Sequence, residues 1–385
     1  MGKRYSSKQS LFAFGPRQTN FQTEAANAVN NWRFLVKEGY AKASFDSPNV
    51  NNAGESTGLA LPDKTYKDKD TSGFSAVEQL TFQLLGIRAN DAFGVTATPV
   101  VVVAGATGAP PLVIRHRFSL LDPFTSAALP ARALASKVAE PAVASNEIYN
   151  ARFPSMTYNR FTISDSGDKP NLTLDSEWVG SGQMTEPSGI QFYGTGKHVL
   201  GTATGEINET PINKRSGVTT IYPQAGYLGT AILTNCLSRG VTNTINENLN
   251  TDGGYAGCAL FQDGDPRKGA IAGSLDSTGQ TVAYEITLVA DSDILQGFKV
   301  NQRLKAGTEF SMKTAYTGPV ISGAETHKAT FGLSRAVIAS AEWVDLEGGT
   351  QGIRIVTEPL ANGNFSPFDL ELISNVADFN TYVGA

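Results

Sequence analysis

Between residues 171 and 178 the apolar side chains Leu172, Leu174 and Trp178 fall on even positions, while Asn171, Thr173, Asp175 and Glu177 fall on odd ones. The same parity recurs over 281–288, where Val282, Tyr284, Ile286 and Leu288 alternate with Thr281, Ala283, Glu285 and Thr287. A period of two sends successive side chains to opposite faces, so both segments predict antiparallel strands with one packed face and one wet face. Further strands are predicted over 228–235, 240–249, 308–316, 327–334, 336–344, 352–357 and 366–374. Residues 100–103 and 112–121 flank the turn-forming GATGAPP and predict a hairpin.

Two helices are predicted among these strands. Ser75 and Glu78 stand at capping-box spacing, and Val77, Leu80, Leu84 and Leu85 share one helical face, so a helix should run to Gly86. Asp291 or Ser292 should cap a second helix through Ile294, Leu295 and Phe298, ending near Gly307. The Ala-rich stretch 126–145 reads either as a helix interrupted at Pro130 and Pro141 or as an extended loop. The first 45 residues carry scattered aromatics (Phe12, Phe14, Phe21, Trp32, Phe34) and read as an arm with a short helix or strand. Residues 46–73 are polar, rich in turn formers and too long for an ordinary connection, a length that marks functional or disordered loops.

The fold class expected is therefore mainly β: an antiparallel β-sandwich or barrel with one flanking α-helix, plus an N-terminal extension with a second helix and a long loop. Residues 1–150 form the arm, loop, helix and hairpin region, and residues 151–385 the β domain.

Charged residues make up 17% of the chain, below the roughly 25% of an average soluble protein, and Asn, Thr, Ser and Gly fill the difference. Uncharged polar residues suit a surface that copies of the same chain cover, because burying charge at an interface is costly. With 31 basic against 36 acidic residues, the chain is not built to grip nucleic acid by neutralising phosphates. No apolar run approaches the roughly 20 residues that span a bilayer, and the first 15 residues lack the apolar core of a secretory signal. A soluble chain with no membrane partner is expected. The myristoylation-like Gly2 and Ser6, and the glycosylation triplets at Asn171, Asn208 and Asn364, read as chance matches.

A search for chemistry finds none. Cys236 and Cys258 have no His at metal spacing and read as small reduced apolar residues, with a single disulfide between them as the alternative. His116, His198 and His327 are isolated, and His116 shares the apolar parity of Ile114 and Phe118, as a core or interface histidine would. Gly194-Thr-Gly196-Lys197 lacks the upstream Gly of a phosphate loop, and His198 replaces its Ser or Thr. Asp263 and Asp265 sit in a turn without the other ligands of a calcium loop. No catalytic constellation, cofactor or metal site is indicated, and the chain is not expected to be an enzyme.

The order of elements over roughly residues 150–385 resembles that of the tail tube proteins, or major tail proteins, of long-tailed bacteriophages. FPSMTYNRFTISDSGDKPNLTLDSEWVGSG resembles that family's central strand-turn-strand-Gly segment, and VTNTINENLN its Asn-rich strand. TVAYEITLVADSDILQGFKVNQRLKAGTEFSMKTAYTG resembles its strand-helix-strand unit, and FGLSRAVIASAEWVDLEGGTQGIRIVTEPL its last hairpin. The first 150 residues match only loosely.

The resemblance implies a structural virion protein. Neighbours would join edge to edge into a ring, hexameric by family default or trimeric if added elements let fewer copies close it. Closure satisfies the edge hydrogen bonds that an open sheet leaves unmade. Rings would stack into a tube through which DNA passes to the host without specific binding. The partners implied are the chain itself, a tape measure protein, a tail terminator and baseplate or tip proteins. The location implied is the virion tail, preceded by the host cytoplasm. Asp175, Glu177, Glu247 and Glu285, on the polar parity of their strands, are the candidate channel-lining residues. Solvent on the outside of the particle is the competing environment for each. Asp46, Asn52, Asp63, Lys67 and Asp70 in the long loop are the candidate contacts between rings. The alternative reading is another virion structural protein, a fibre or adhesin-like β-sandwich that binds a surface glycan; a secreted β-fold hydrolase is a third.

Overall fold

A computed structural model describes residues 10–18, 33–34, 37–46, 49–51, 65–67, 71–96, 98–106, 112–120, 131–139, 147–165, 170–180, 209–234, 242–246, 281–361 and 367–379. The N-terminal region contributes β1 (Ser10–Gln18), β2 (Arg33–Phe34), β3 (Lys37–Asp46), β4 (Asn49–Asn51), β5 (Thr65–Lys67) and β6 (Thr71–Gln79). Helix α1 (Phe82–Phe93) follows, then β7 (Gly94–Thr96), β8 (Val100–Val103), β9 (Val113–Leu120), β10 (Ala131–Ala139) and the long β11 (Glu147–Ser164). Next come β12 (Thr173–Val179), β13 (Gly217–Tyr222), β14 (Ile232–Thr234), β15 (Thr242–Asn246) and β16 (Thr281–Val289). Helix α2 (Val300–Ala306) leads to β17 (Phe310–Ser322), β18 (Glu325–Leu346), β19 (Thr350–Pro359) and β20 (Phe368–Ser374).

The architecture is a mainly antiparallel β-sandwich. One half-sheet runs β3–β6–β12–β11–β15–β16–β19–β18, and the other runs β14–β13–β17–β18–β20–β9 with β7 and β8 beside β9. β18 belongs to both. Its first part pairs with β17 and β20 and its second with β19, with register shifts around residues 333–336 and 338–340. Bulges of this kind let one strand turn a corner between packed sheets. The two strands predicted over 327–334 and 336–344 are thus one bent strand. The first part of β11 pairs with β10, which pairs with β1 and through it β2, while its second part enters the first half-sheet.

The core lies between the half-sheets, and α1 is enclosed in it. All twelve residues of α1 are buried, and Phe93 meets Phe161 of β11 and Phe368 of β20 at 5.6 and 5.7 Å, one ring from each side. A hydroxyl pair also crosses the gap: Tyr284 of β16 and Thr314 of β17 meet at 2.6 Å, and Thr314 also meets Thr219, its ladder neighbour on β13, at 2.9 Å. A buried hydroxyl left without a partner is costly, so these bonds fix how the two sheets sit on each other.

The predicted helix over 75–86 is displaced. Phe74, Ala76, Glu78 and Leu80 are buried while Ser75, Val77 and Gln79 are half-buried, a strand period, and β6 pairs with both β3 and β12. The helix starts at Phe82, capped by Thr81, whose Oγ1 accepts the Leu84 N–H at 3.0 Å and also bonds the Glu209 carboxylate. Gly86 does not end it. A Cβ there would lie 2.2 Å from the Phe379 ring, so glycine is needed for close packing in mid-helix.

The second predicted helix forms on the flank. Asp291 Oδ1 accepts the Ile294 N–H at 3.0 Å, a wide helical turn spans Asp293–Phe298, and α2 ends at Gly307 with φ of +61°. Lys299, at φ of +60°, separates the two pieces. The hairpin over 100–121 is present as β8 and β9. In the Ala-rich stretch, residues 131–139 form neither a helix nor a loop but β10, paired on both edges. The long polar segment carries paired ends, since β4 and β5 form a ribbon and Thr71 already belongs to β6.

Candidate functional site

The wet parity of β12 sets Asp175 and Glu177 on one face, opposite the buried Leu174, Ser176 and Trp178. Directly opposed residues in an antiparallel ladder share a face, so the registers carry this face from strand to strand. Glu177 opposes Ser75 of β6, which opposes Lys42 of β3. On the other side Glu177 opposes Arg160 of β11, and Thr162 opposes both Asp175 and Thr244 of β15. Thr242 opposes Glu285 of β16; Arg354 of β19 opposes Thr287 and Glu342 of β18. One face of eight strands therefore gathers carboxylates, hydroxyls and a few cations.

Asp175, Glu177 and Glu285, expected from parity, are all on it. Glu247 directly follows β15 and lies outside the described residues, as do Asn52, Asp63 and Asp70. Asp46 ends β3 opposite Thr71, and Lys67 ends β5 opposite Asn49. His198, Gly194 to Lys197, Cys236, Cys258, Asp263 and Asp265 also lie outside the described residues.

Both arginines of the face are paired with carboxylates. Arg160 reaches Asp175 at 3.3 Å and Glu177 at 3.8 Å. Arg354 donates to Glu285 from Nε at 2.6 Å and from Nη2 at 3.0 Å, and lies 3.8 Å from Glu342. The Glu285 hydrogen bonds and charge hold the Arg354 pKa above its ordinary value. Half-exposed pairs of this kind add little stability, about 0–1 kcal/mol each. Their consequence is electrostatic, because a neighbouring carboxylate offsets each arginine's charge and leaves it a weaker attraction for a passing phosphate. Parity alone does not single out the arginines, although Arg160 beside Phe161 and Arg354 between Ile353 and Ile355 stand on polar parity. Only the register shows which acids they meet.

The outer face of the other half-sheet has a different construction. Gly332 lies between Lys313 and Asp369 in the ladder, and the Tyr227 ring covers it. Tyr227 Oη donates to Asp369 Oδ2 at 3.2 Å, and Lys313 Nζ sits 3.8 Å from the ring centre. Burial raises the Asp369 pKa above the usual carboxylate range despite the Tyr227 hydrogen bond and Lys313. Both isolated histidines of the described residues are buried. His116 is 2% exposed and bonds the Val376 carbonyl at 2.8 Å, and His327 stacks on Phe82 at 5.3 Å. Among the described residues no three His, Cys, Asp or Glu converge to hold a metal ion.

Fold and face together define an antiparallel β-sandwich with one broad, charge-paired polar face. No protein-family model matches the chain, and no curated protein does. Among solved structures, a BenF-like porin from Pseudomonas fluorescens Pf-5 aligns with 92% of this chain and 97% of that one at 9% identity. The TM-score is 0.09, which relates neither fold nor function. No helix among the described residues is long and apolar enough to cross a membrane.

Proposed function

We propose that the chain is a structural protein of a phage virion, one that polymerises as stacked rings into the tail tube and forms the channel through which DNA reaches the host. The observation that carries this reading is the polar face: eight antiparallel strands wide, lined by Asp175, Glu177, Glu285 and threonine hydroxyls, with Arg160 and Arg354 occupied by carboxylates. A wall that presented free Lys and Arg would release counterions from DNA and hold it. A hydroxyl-rich wall with paired charges lets the polymer slide. In this reading the chain has no catalytic role. It acts with copies of itself, a tape measure protein, a tail terminator and baseplate or tip proteins, first in the host cytoplasm and then in the tail. The segment from Asp46 to Asp70, including Asn52, Asp63 and Lys67, contacts the next ring.

Negative-stain electron microscopy of the purified chain and of particles from its source tests this. Hollow tubes with a regular axial repeat, containing this chain, are expected. A chain that stays monomeric beside growing tails and is missing from mature particles overturns the reading.

A further inference from the structure

Beyond Ser374 the chain leaves the β20 ladders and packs against α1. Three contacts hold residues 375–379 there. Gln83 Nε2 of α1 donates to Asn375 Oδ1 at 3.5 Å, His116 Nε2 of β9 donates to the Val376 carbonyl at 2.8 Å, and the Phe379 ring fills the space that Gly86 leaves on the helix. Val376 and Phe379 are buried, whereas Asn375, Ala377 and Asp378 are exposed. The segment is a strap over one stretch of the enclosed helix, and among the described residues no ladder pairing supports it. A segment with so few backbone bonds opens at lower cost than the sheets beside it.

Two buried histidines lie beside this strap and the start of the helix. The His116 ring meets Phe379 edge to face at 4.6 Å. Its Nε2 already donates to the Val376 carbonyl, so a second proton must enter at Nδ1. His327 of β18 follows the Lys328–Ile373 pair and stacks on Phe82, the first residue of α1, and its buried Nδ1 has no hydrogen-bond partner among the described residues. Around His116, β9 brings Ile114 and Phe118, β20 brings Leu372 opposite it, and β8 brings valines. Asp378 of the strap is the carboxylate whose charge acts on it, while Arg88 and Asp91, the charged residues of α1, act on each other. His327 has Phe82 and Gly318 against it, and an added charge would sit beside the positive end of α1. Burial alone lowers the His327 pKa, and burial lowers that of His116 against the opposing pull of the Val376 carbonyl and Asp378.

We propose that Asn375–Phe379 is an acid-released strap: protonation of His116 and His327 lifts it from α1 and uncovers the helix around Phe82, Gln83 and Gly86. A histidine whose pKa is lowered in the closed chain binds its proton more weakly there than in the open one. The closed form is therefore fully favoured above the ordinary histidine pKa, about 6.5, and loses that advantage as pH falls below it. Phe379 transmits the change, since its ring touches both His116 and the notch at Gly86. The strap works in the single chain and does not depend on tube formation.

Amide hydrogen exchange of the full-length chain at about pH 7.5 and about pH 5, corrected for the intrinsic pH dependence of exchange, supplies the test. Protection over 82–87 and 375–379 should fall by about tenfold or more at the lower pH, while β12 and β16 keep theirs. His116→Gln keeps a donor for the Val376 carbonyl and His327→Phe keeps a ring on Phe82, and neither takes a proton, so the chain carrying both should lose the pH response. Phe379→Ala should lower protection over 82–87 already at the higher pH. In the unaltered chain, NMR of the imidazole protons should show both rings titrating below the ordinary histidine value, which needs no variant to fold. Either ring titrating at the ordinary value, or protection lost equally with and without the two histidines, overturns the proposal. So does a loss that spreads equally to β12 and β16, which would be acid unfolding of the whole chain, or full protection of 82–87 in Phe379→Ala.

Discussion

The Arg88 guanidinium of α1 donates to the Glu78 carboxylate of β6 at 2.8 Å, and neither side chain reaches solvent. Phe14 of β1 and Trp178 of β12 flank the cation, with ring centres 4.1 and 5.3 Å from the guanidinium carbon. Burial works against this charge, and the Glu78 carboxylate, helped by Tyr158 and Asp91, more than offsets it. The pair ties the enclosed helix to the sheet and to the outlying β1. Glu78→Gln strands the cation, and loss of one buried partner costs about 3–5 kcal/mol. Denaturant unfolding should show that loss, and Arg88→Met in the same chain should recover most of it. A Glu78→Gln variant as stable as the original would mean that the charge is solvated.

Gly86 and Phe379 make a prediction whose sign depends on the background. Gly86→Ala alone gains helix propensity of about 1 kcal/mol but drives a Cβ into the Phe379 ring, and overpacking costs about 1–3 kcal/mol. A net loss is expected. In a chain already carrying Phe379→Ala, the same Gly86→Ala change should be neutral or stabilising by up to about 1 kcal/mol. Thermal unfolding of the four chains reads the coupling directly, and additive effects would refute it.

Asp369 gives a pH dependence. Its native pKa is raised, chiefly by burial, so the folded chain holds this proton more tightly than the unfolded one does. Such a group contributes stability below the unfolded carboxylate pKa, about 4, and loses that contribution as pH rises through the native value. Relative to Asp369→Asn, which keeps an acceptor for the Tyr227 hydroxyl, the original chain should lose stability over that window. Parallel stability curves for the two chains would contradict the assignment.

The polar face is tested through DNA passage. Asp175→Lys with Glu177→Lys adds two cations and frees Arg160, so the wall should hold phosphates. Intact particles with slower genome delivery, and a delay that shrinks as salt rises, are expected. Unchanged delivery kinetics would place this face away from the DNA path.

Much of the strand content was legible because alternation is local. Parity gives Asp175, Glu177 and Glu285 a wet face, and the structure puts all three on one. Ser75-Ala-Val-Glu78 misled because the same residues satisfy a capping box and a strand period. Pairing with β3 and β12 on both sides, and the burial of Glu78 against Arg88, settled it in favour of a strand. Residues 131–139 likewise took their conformation from two neighbours far away in the chain.

The amino-acid order by itself determined which positions along each strand are apolar and where the flanking helix begins and ends, since both follow from side-chain periodicity and capping within a few residues. Only the tertiary structure decided that Arg88 is buried, that Trp343 is exposed despite its apolar parity, and which carboxylate each arginine meets. Those outcomes rest on register and on which strand edges find no neighbour. Backbone hydrogen bonds between distant segments set both, and those bonds look alike whatever side chains they join.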